Sequence, residues 1–230
     1  MSGRLRRFER ADDLVSAVVD EVLTSDLSHG VALTGGRIGT QVSLAMVDAL
    51  AAARGDSVSG GAAATGPVRL WFSDERFLPL GDADRNDTPV LARVGSDAAT
   101  ADVLDVMSVL GPDGAATASG AAADYQARLA SLGLPAVAVL SIGPDGHVAS
   151  VFPGHALMSD EGCAVRAVHD SPKPPPVRVT WTLPLIASVS QVLLLAAGED
   201  KREAVERVLA GDVSLPATRL LSAGATLFVA

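Results

Sequence analysis

Four short runs constrain this chain more than any other feature. Val31-Ala32-Leu33-Thr34, Val68-Arg69-Leu70-Trp71-Phe72, Ala136-Val137-Ala138-Val139-Leu140 and Val192-Leu193-Leu194-Leu195-Ala196 are almost wholly apolar. A half-exposed strand alternates apolar and polar residues, whereas a strand buried on both faces reads as an unbroken apolar run. Segments with helical periodicity lie between the runs. Residues 12–27 put Leu14, Val15, Val18, Val19, Val22 and Leu23 on one broad face, and residues 40–53, 117–132 and 199–209 also read as helices. Residues 164–168, 177–182 and 226–229 read as further strands, the first two separated by a proline-rich loop over 171–176. Strands that alternate with helices predict a mainly parallel sheet covered on both sides, a three-layer α/β/α, Rossmann-like fold. A length of 230 residues is compatible with one domain spanning 1–230.

The remaining stretches read as connections. Residues 54–67 are rich in Gly, Ala and Ser and are expected to be exposed. Residues 73–87 form a long polar loop, and long loops in compact domains often carry function. Aromatic residues make up only 3% of the chain, so Ala, Val and Leu must fill the core. A net charge of −9 argues against a broad nucleic-acid or membrane surface, but a few local cations can still hold a small anion. Cys163 is the single cysteine, which rules out an internal disulfide, fits a reducing cytoplasm and is expected in the core. No run approaches the ~18 apolar residues that span a bilayer. The basic N-terminus has no apolar region after it and does not read as a secretory signal.

Several polar motifs stand where strands end, the edge at which open α/β sheets bind ligands. Thr34-Gly35-Gly36-Arg37-Ile38-Gly39-Thr40 joins a strand to a helix, and a helix N-terminus behind glycines can hold a phosphate. The plainer reading is a tight turn that uses glycine for its backbone freedom. Ser73-Asp74-Glu75-Arg76 leaves the second strand directly into charge, suited to a polyol or to an internal ion pair in a solvated loop. Gly143-Pro144-Asp145-Gly146-His147 pairs an acid with an imidazole on one turn, the arrangement of a general base and its orienting group. Gly111-Pro112-Asp113-Gly114 repeats the tetrapeptide without a histidine, so the turn alone proves little and the weight falls on His147. Lys201 stands in the first turn of a helix, against the helix dipole, where an anion would offset the penalty; pairing with Glu199 or Asp200 explains it equally well. Arg178 opens a strand after the proline-rich loop, and its planar fork suits an oxyanion, though an edge arginine usually means nothing. No Gly-x-Ser-x-Gly elbow and no His-Glu-x-x-His motif is present.

Taken in order, Leu33-Thr34-Gly35-Gly36, Trp71-Phe72-Ser73-Asp74-Glu75-Arg76, Asn86, the block from Ile142 through His147 to Phe152-Pro153-Gly154-His155, Arg178-Val179-Thr180, Gly198-x-x-Lys201 and Leu215-Pro216-Ala217 resemble the 6-phosphogluconolactonase family. The resemblance runs from about residue 30 to 220. It implies a three-layer α/β/α fold and metal-free, cofactor-free hydrolysis of 6-phosphoglucono-δ-lactone, the second step of the oxidative pentose phosphate pathway. It also implies roles. His147 would be the base that activates water, and a histidine's ordinary pKa near ~6.5 suits that task. Asp145 would orient the imidazole or hold a sugar hydroxyl, Arg76 would stabilise the oxyanion and Asp74 would hold hydroxyls. Gly35, Gly36, Arg178 and Lys201 would receive the 6-phosphate. One departure is Arg37, where the family has a small hydroxyl residue: it either binds phosphate itself or points away. His155 is read as structural.

The expected partner is a small sugar phosphate, with no nucleic acid or membrane, in a cytoplasmic monomer or small homo-oligomer. The related glucosamine-6-phosphate isomerase/deaminase family is similar through Gly-Gly, Asp-Glu and Asp-Gly-His. It carries a catalytic Glu five positions after its His, and here that position is Phe152. A non-catalytic sugar-phosphate sensor remains a third reading. Such domains normally follow a DNA-binding segment, whereas this acidic chain is expected to begin at its first helix.

Overall fold

The computed structural model describes residues 4–57 and 66–230. Most of the expected connection over residues 54–67 lies outside the described residues. In chain order the elements are β1 (Arg4–Arg7), α1 (Ala11–Leu23), β2 (Val31–Leu33), α2 (Arg37–Ser57), β3 (Val68–Phe72), β4 (Asp74–Arg76), α3 (Thr88–Gly95), α4 (Ala98–Val103), β5 (Leu104–Val106), α5 (Ala118–Leu132), β6 (Val137–Ser141), β7 (Val165–Val168), β8 (Arg178–Trp181), α6 (Leu183–Ala187), β9 (Gln191–Ala196), α7 (Arg202–Leu209), α8 (Pro216–Ser222) and β10 (Thr226–Val229). Among the described residues, seven strands form one sheet in the order β1-β10-β9-β6-β2-β3-β5. Every neighbouring pair in it is parallel.

The apolar runs fold as they do because each strand feeds two cores. Along β2, Val31 and Leu33 join one cluster while Ala32 joins the other. Leu70 and Phe72 oppose Trp71 on β3 in the same way, and Leu193 and Leu195 oppose Leu194 on β9. Successive side chains on a strand point to opposite faces, so a strand between two helical layers must be apolar throughout. One face is covered by α1, α2 and α3 through Leu14, Val18, Val42, Met46 and Val90. The other is covered by α5, α7 and α8 through Tyr125, Leu129, Val205, Val208 and Leu220. The expected three layers are therefore present.

From β2 the chain moves outward to β3 and β5, then returns to β6 on the other side of β2 and continues to β9 and β10. The strand order reverses between β2 and β6. Such a reversal opens a crevice at the carboxyl edge of the sheet, where adjoining connections part to opposite faces.

The structure corrects the sequence reading in several places. The strands expected at 164–168 and 177–182 exist, but they leave the main sheet and form a small antiparallel one in the order β4-β8-β7. Its first member, β4, lies inside the stretch expected to be a loop. Arg178 is consequently on the middle strand, not an edge. The turn before α2 is shorter than expected: Arg37-Ile38-Gly39 is the helix's first turn, and the Thr40 N–H already bonds to Gly36 O at 2.8 Å. Cys163 is exposed rather than in the core, because it sits in the short link before β7. The edge strands β1 and β5 and the helices α3, α4, α6 and α8 carried no distinct periodicity, and β1 precedes the first helix. Among the described residues, no helix is long and apolar enough to cross a membrane.

Candidate active site

Three chain segments meet at the crevice between β2 and β6. The first is the turn after β2. Gly36 has φ +79°, a left-handed conformation that ends the strand and starts α2. A side chain on Gly35 would overlap the Asn86 amide, so the glycine lets the 73–87 segment close over the turn. Ser141 Oγ donates to Gly35 O at 3.1 Å and pins the end of β6 to this turn. The N-terminus of α2 thus faces the crevice with its first-turn N–H groups ahead of the helical ladder.

The second segment follows β6. Gly146 N–H closes on Gly143 O at 2.9 Å, the same closure that Gly114 makes on Gly111 at 3.0 Å in the histidine-free copy. The turns are alike; only one carries an imidazole. His147 Nδ1 lies 2.5 Å from Asp145 Oδ1. A proton must lie between two acceptors that close, so Nδ1 donates to the carboxylate. Nε2 makes no hydrogen bond to any described residue and is left for a ligand. Phe152 packs its ring 4.7 Å from the imidazole. Partial burial alone would raise the Asp145 pKa. The hydrogen bond and charge of His147, with Lys173, outweigh it and hold the carboxyl well below the usual range.

The third segment is the small sheet. Alternation along β4 turns Asp74 and Arg76 toward the crevice and Glu75 away from it. Asp74 is held by Ser150 Oγ at 2.7 Å and faces Arg178 Nη1 at 3.8 Å. Arg178 also donates to the carbonyls of Lys173, Pro174 and Pro175 at 3.0–3.1 Å, so one guanidinium fixes the proline-rich loop. Burial lowers its pKa, with Asp74 opposing. Arg76 donates through Nη1 to Asp84 O, and its buried Nε has no partner among the described residues. Behind β4, Glu75 accepts the backbone N–H groups of Arg76, Asn86 and Asp87 at 2.7–2.8 Å. Burial, and then the charge of Asp87, raise its pKa to about 8 against the pull of Arg85.

These segments enclose a cavity of about 260 Å³. Gly35, Gly36, Asp74, Arg76, His147, Arg178 and Lys201, all expected from sequence, line it. Asp145 stands behind His147. Partial burial lowers the Lys201 pKa, with Asp200 opposing at 3.5 Å. Arg37 is not in the lining. Its side chain is exposed and turns to Asp200 Oδ1 at 3.3 Å and Ala197 O at 3.4 Å. His155 also lies apart, accepting the Leu157 N–H and meeting Asp170 at 3.0 Å. The sequence reading assigned no role to Lys173, which lines the cavity and lies 3.1 Å from His147 Nδ1. Its one sequence signal was rarity, as one of two lysines beside sixteen arginines.

Four cations and one carboxylate line this cavity in a chain of net charge −9. A doubly wound sheet with a cation-rich pocket at its switch point, and an imidazole–carboxylate pair on its wall, places the chain among α/β proteins whose ligand crevice lies at the carboxyl edge of the sheet. The chain belongs to the glucosamine-6-phosphate isomerases/6-phosphogluconolactonase family, whose model matches residues 6–228. It is 36% identical to the 6-phosphogluconolactonase of Streptomyces coelicolor, an alignment covering 95% of this chain and 87% of that one. The match to the rat 6-phosphogluconolactonase is 35% identical over 64% of this chain and 59% of that protein, so the chain spans under two thirds of that relative. Among solved structures it is similar to the 6-phosphogluconolactonase of Leishmania guyanensis, with TM-score 0.76 and 25% identity over 100% and 96% of the two chains. A monomeric glucosamine-6-phosphate deaminase shares the fold at TM-score 0.74 and 17% identity, over 98% and 96% of the chains.

Proposed function

We propose that this chain hydrolyses 6-phospho-D-glucono-1,5-lactone to 6-phospho-D-gluconate, the second step of the oxidative pentose phosphate pathway, with His147 activating the water. The observation that carries the reading is His147 itself. Its Nδ1 is committed to Asp145 at 2.5 Å, and its ring lines a cavity rich in cations. In that tautomer Nε2 holds a lone pair. It takes a proton from water as the water oxygen adds to the lactone carbonyl. The tetrahedral oxyanion then collapses, the bond from C1 to the ring oxygen breaks, and the proton passes to that oxygen. A lactone is an activated ester, so protein groups suffice and the reading needs no metal. Arg76, with an unspent Nε–H, stabilises the oxyanion. Asp74 takes sugar hydroxyls, and the first turn of α2 with Gly35, Gly36, Arg178 and Lys201 receives the phosphate. Arg37 acts at the rim, holding Asp200. A small sugar phosphate as sole ligand, one domain over 1–230 and a cytoplasmic place of action go with this reading.

The deaminase reading gains nothing at the imidazole: the ring faces Phe152 where that chemistry calls for a carboxylate. The test is turnover of freshly prepared lactone, measured above its spontaneous hydrolysis. His147→Ala should lower kcat by ~10²-fold or more, the scale of general-base catalysis. Lys201→Ala should chiefly raise KM. Near-normal turnover by the His147 variant would sink the mechanism, and ammonia release from glucosamine 6-phosphate without lactone hydrolysis would sink the activity.

A further inference from the structure

Sixteen of the eighteen Lys and Arg residues are arginines. The two that are not, Lys173 and Lys201, line the same cavity. An arginine presents a broad planar fork, whereas a lysine presents a compact point charge on a flexible stem. Both lysines place a compact charge on a flexible stem at this cavity. Lys201 is accounted for by the phosphate. Lys173 is not, and its surroundings are specific.

The Lys173 ammonium lies 3.2 Å from Asp145 Oδ1 and 3.1 Å from His147 Nδ1. Nδ1 already donates its proton to Oδ1, so the ammonium cannot donate to that nitrogen and donates to the carboxylate instead. One carboxylate oxygen therefore takes two donors, one from the imidazole and one from the ammonium. The loop that carries Lys173 is fixed at its backbone. Arg178 holds the carbonyls of residues 173–175, and Ser171 Oγ donates to Lys173 O at 2.9 Å. The guanidinium that lines the cavity thus also sets where the ammonium stands.

We propose that Lys173 is a positioning residue of this site: by sharing Asp145 with His147 and offsetting its charge, it keeps the imidazole uncharged and Nε2 free to act as a base. An aspartate alone beside a histidine stabilises the imidazolium, which has no lone pair to offer water. A cation at 3.1 Å opposes that, because like charges disfavour the charged form. The groups facing the imidazole are few. Asp145 and Lys173 meet Nδ1, and Phe152 covers the ring. Asp74, Arg76, Arg178 and Lys201 line the rest of the cavity without bonding the ring. The statement about the base rests on the proposed lactonase activity; the statement about charge does not.

Lys173→Met keeps the stem and removes the charge, at a half-exposed side chain where the fold should tolerate it. The first measurement is a nitrogen-15 NMR titration of the ligand-free protein, with the His147 signal assigned by its loss in His147→Asn. The imidazolium signal should persist about one pH unit higher in Lys173→Met than in the native protein, the lower end of the effect of one adjacent charge. Lys173→Arg, which keeps the charge, should restore most of the native titration. The second measurement is kinetic. On the acid limb of the pH profile, kcat of Lys173→Met should fall about tenfold with KM within about twofold, and the loss should shrink as pH rises past that limb. An unmoved titration would overturn the proposal. So would a raised KM with unchanged kcat, which would make Lys173 a phosphate ligand. If the native protein does not hydrolyse the lactone, the proposed activity fails while the titration still decides the role of Lys173.

Discussion

Gly143 has no side chain because the His147 ring occupies the space that one would need. A Cβ built there overlaps Nδ1 and Cε1 of the imidazole and comes within 2.7 Å of Asp145 Oδ1. Gly143→Ala should therefore displace the ring from Asp145 while leaving the sheet intact. The expected result is a kcat loss approaching that of His147→Ala, about 10²-fold, with an unchanged circular-dichroism spectrum. Unaltered turnover would show that the Asp145 contact does not set the base. At this scale the site was half legible. Asp145, Gly146 and His147 are neighbours in sequence, and turn chemistry places them without help from the rest of the chain. Lys173 was not legible, because nothing local to a proline-rich loop says that it will close over a turn 26 residues earlier. Arg37 was open for a similar reason: its partners, Ala197 and Asp200, come from the far side of β9.

The short strand β4 shows what happens between residue and fold. Asp-Glu-Arg has little intrinsic preference for a strand. It becomes one because β8 lies alongside, with Asp74 opposite Thr180 and Arg76 opposite Arg178. Glu75, at the centre, is fully buried and gathers three backbone N–H groups, one from the strand and two from the residues just before α3. This one carboxylate sets both ends of the 76–87 segment, and so places Arg76 and Asn86 at the cavity. Its folded-state pKa of about 8 lies above the ordinary 4.5. Between those values the folded protein keeps a proton that the unfolded chain has released, so stability falls as pH rises through that window. Denaturant unfolding should show the native protein losing stability relative to Glu75→Gln as pH rises from about 5 to about 8. Parallel pH dependences of the two proteins would show that Glu75 is ionised throughout and held so by its donors. Sequence periodicity could not find β4, since three charged residues carry no apolar pattern to read.

Across the whole molecule, the cavity exists because the chain reverses direction in the sheet between β2 and β6. The cavity lining proposed to take the phosphate then comes from elements far apart in sequence: the turn before α2, Arg178 on β8 and Lys201 just before α7. A ligand that joins them stabilises the folded state as a unit. 6-Phosphogluconate at 100 times its Kd should add about 2.7 kcal/mol of stability. For a chain of this length that raises Tm by roughly 5–10 °C in a thermal melt. Lys201→Ala should need several-fold more ligand for the same shift, and an unchanged concentration dependence would place the phosphate elsewhere. By itself the sequence determined the layers, since an unbroken apolar strand has only one solution, a sheet covered on both faces. It also determined the acid–imidazole turn, since local backbone chemistry forms it. The tertiary structure alone decided that two expected strands would leave the main sheet, that an apparent loop would supply their third partner and that a second lysine would stand against the histidine. Those outcomes depend on which distant segments become neighbours, and that is set by the packing of the two cores rather than by any local preference of the residues involved.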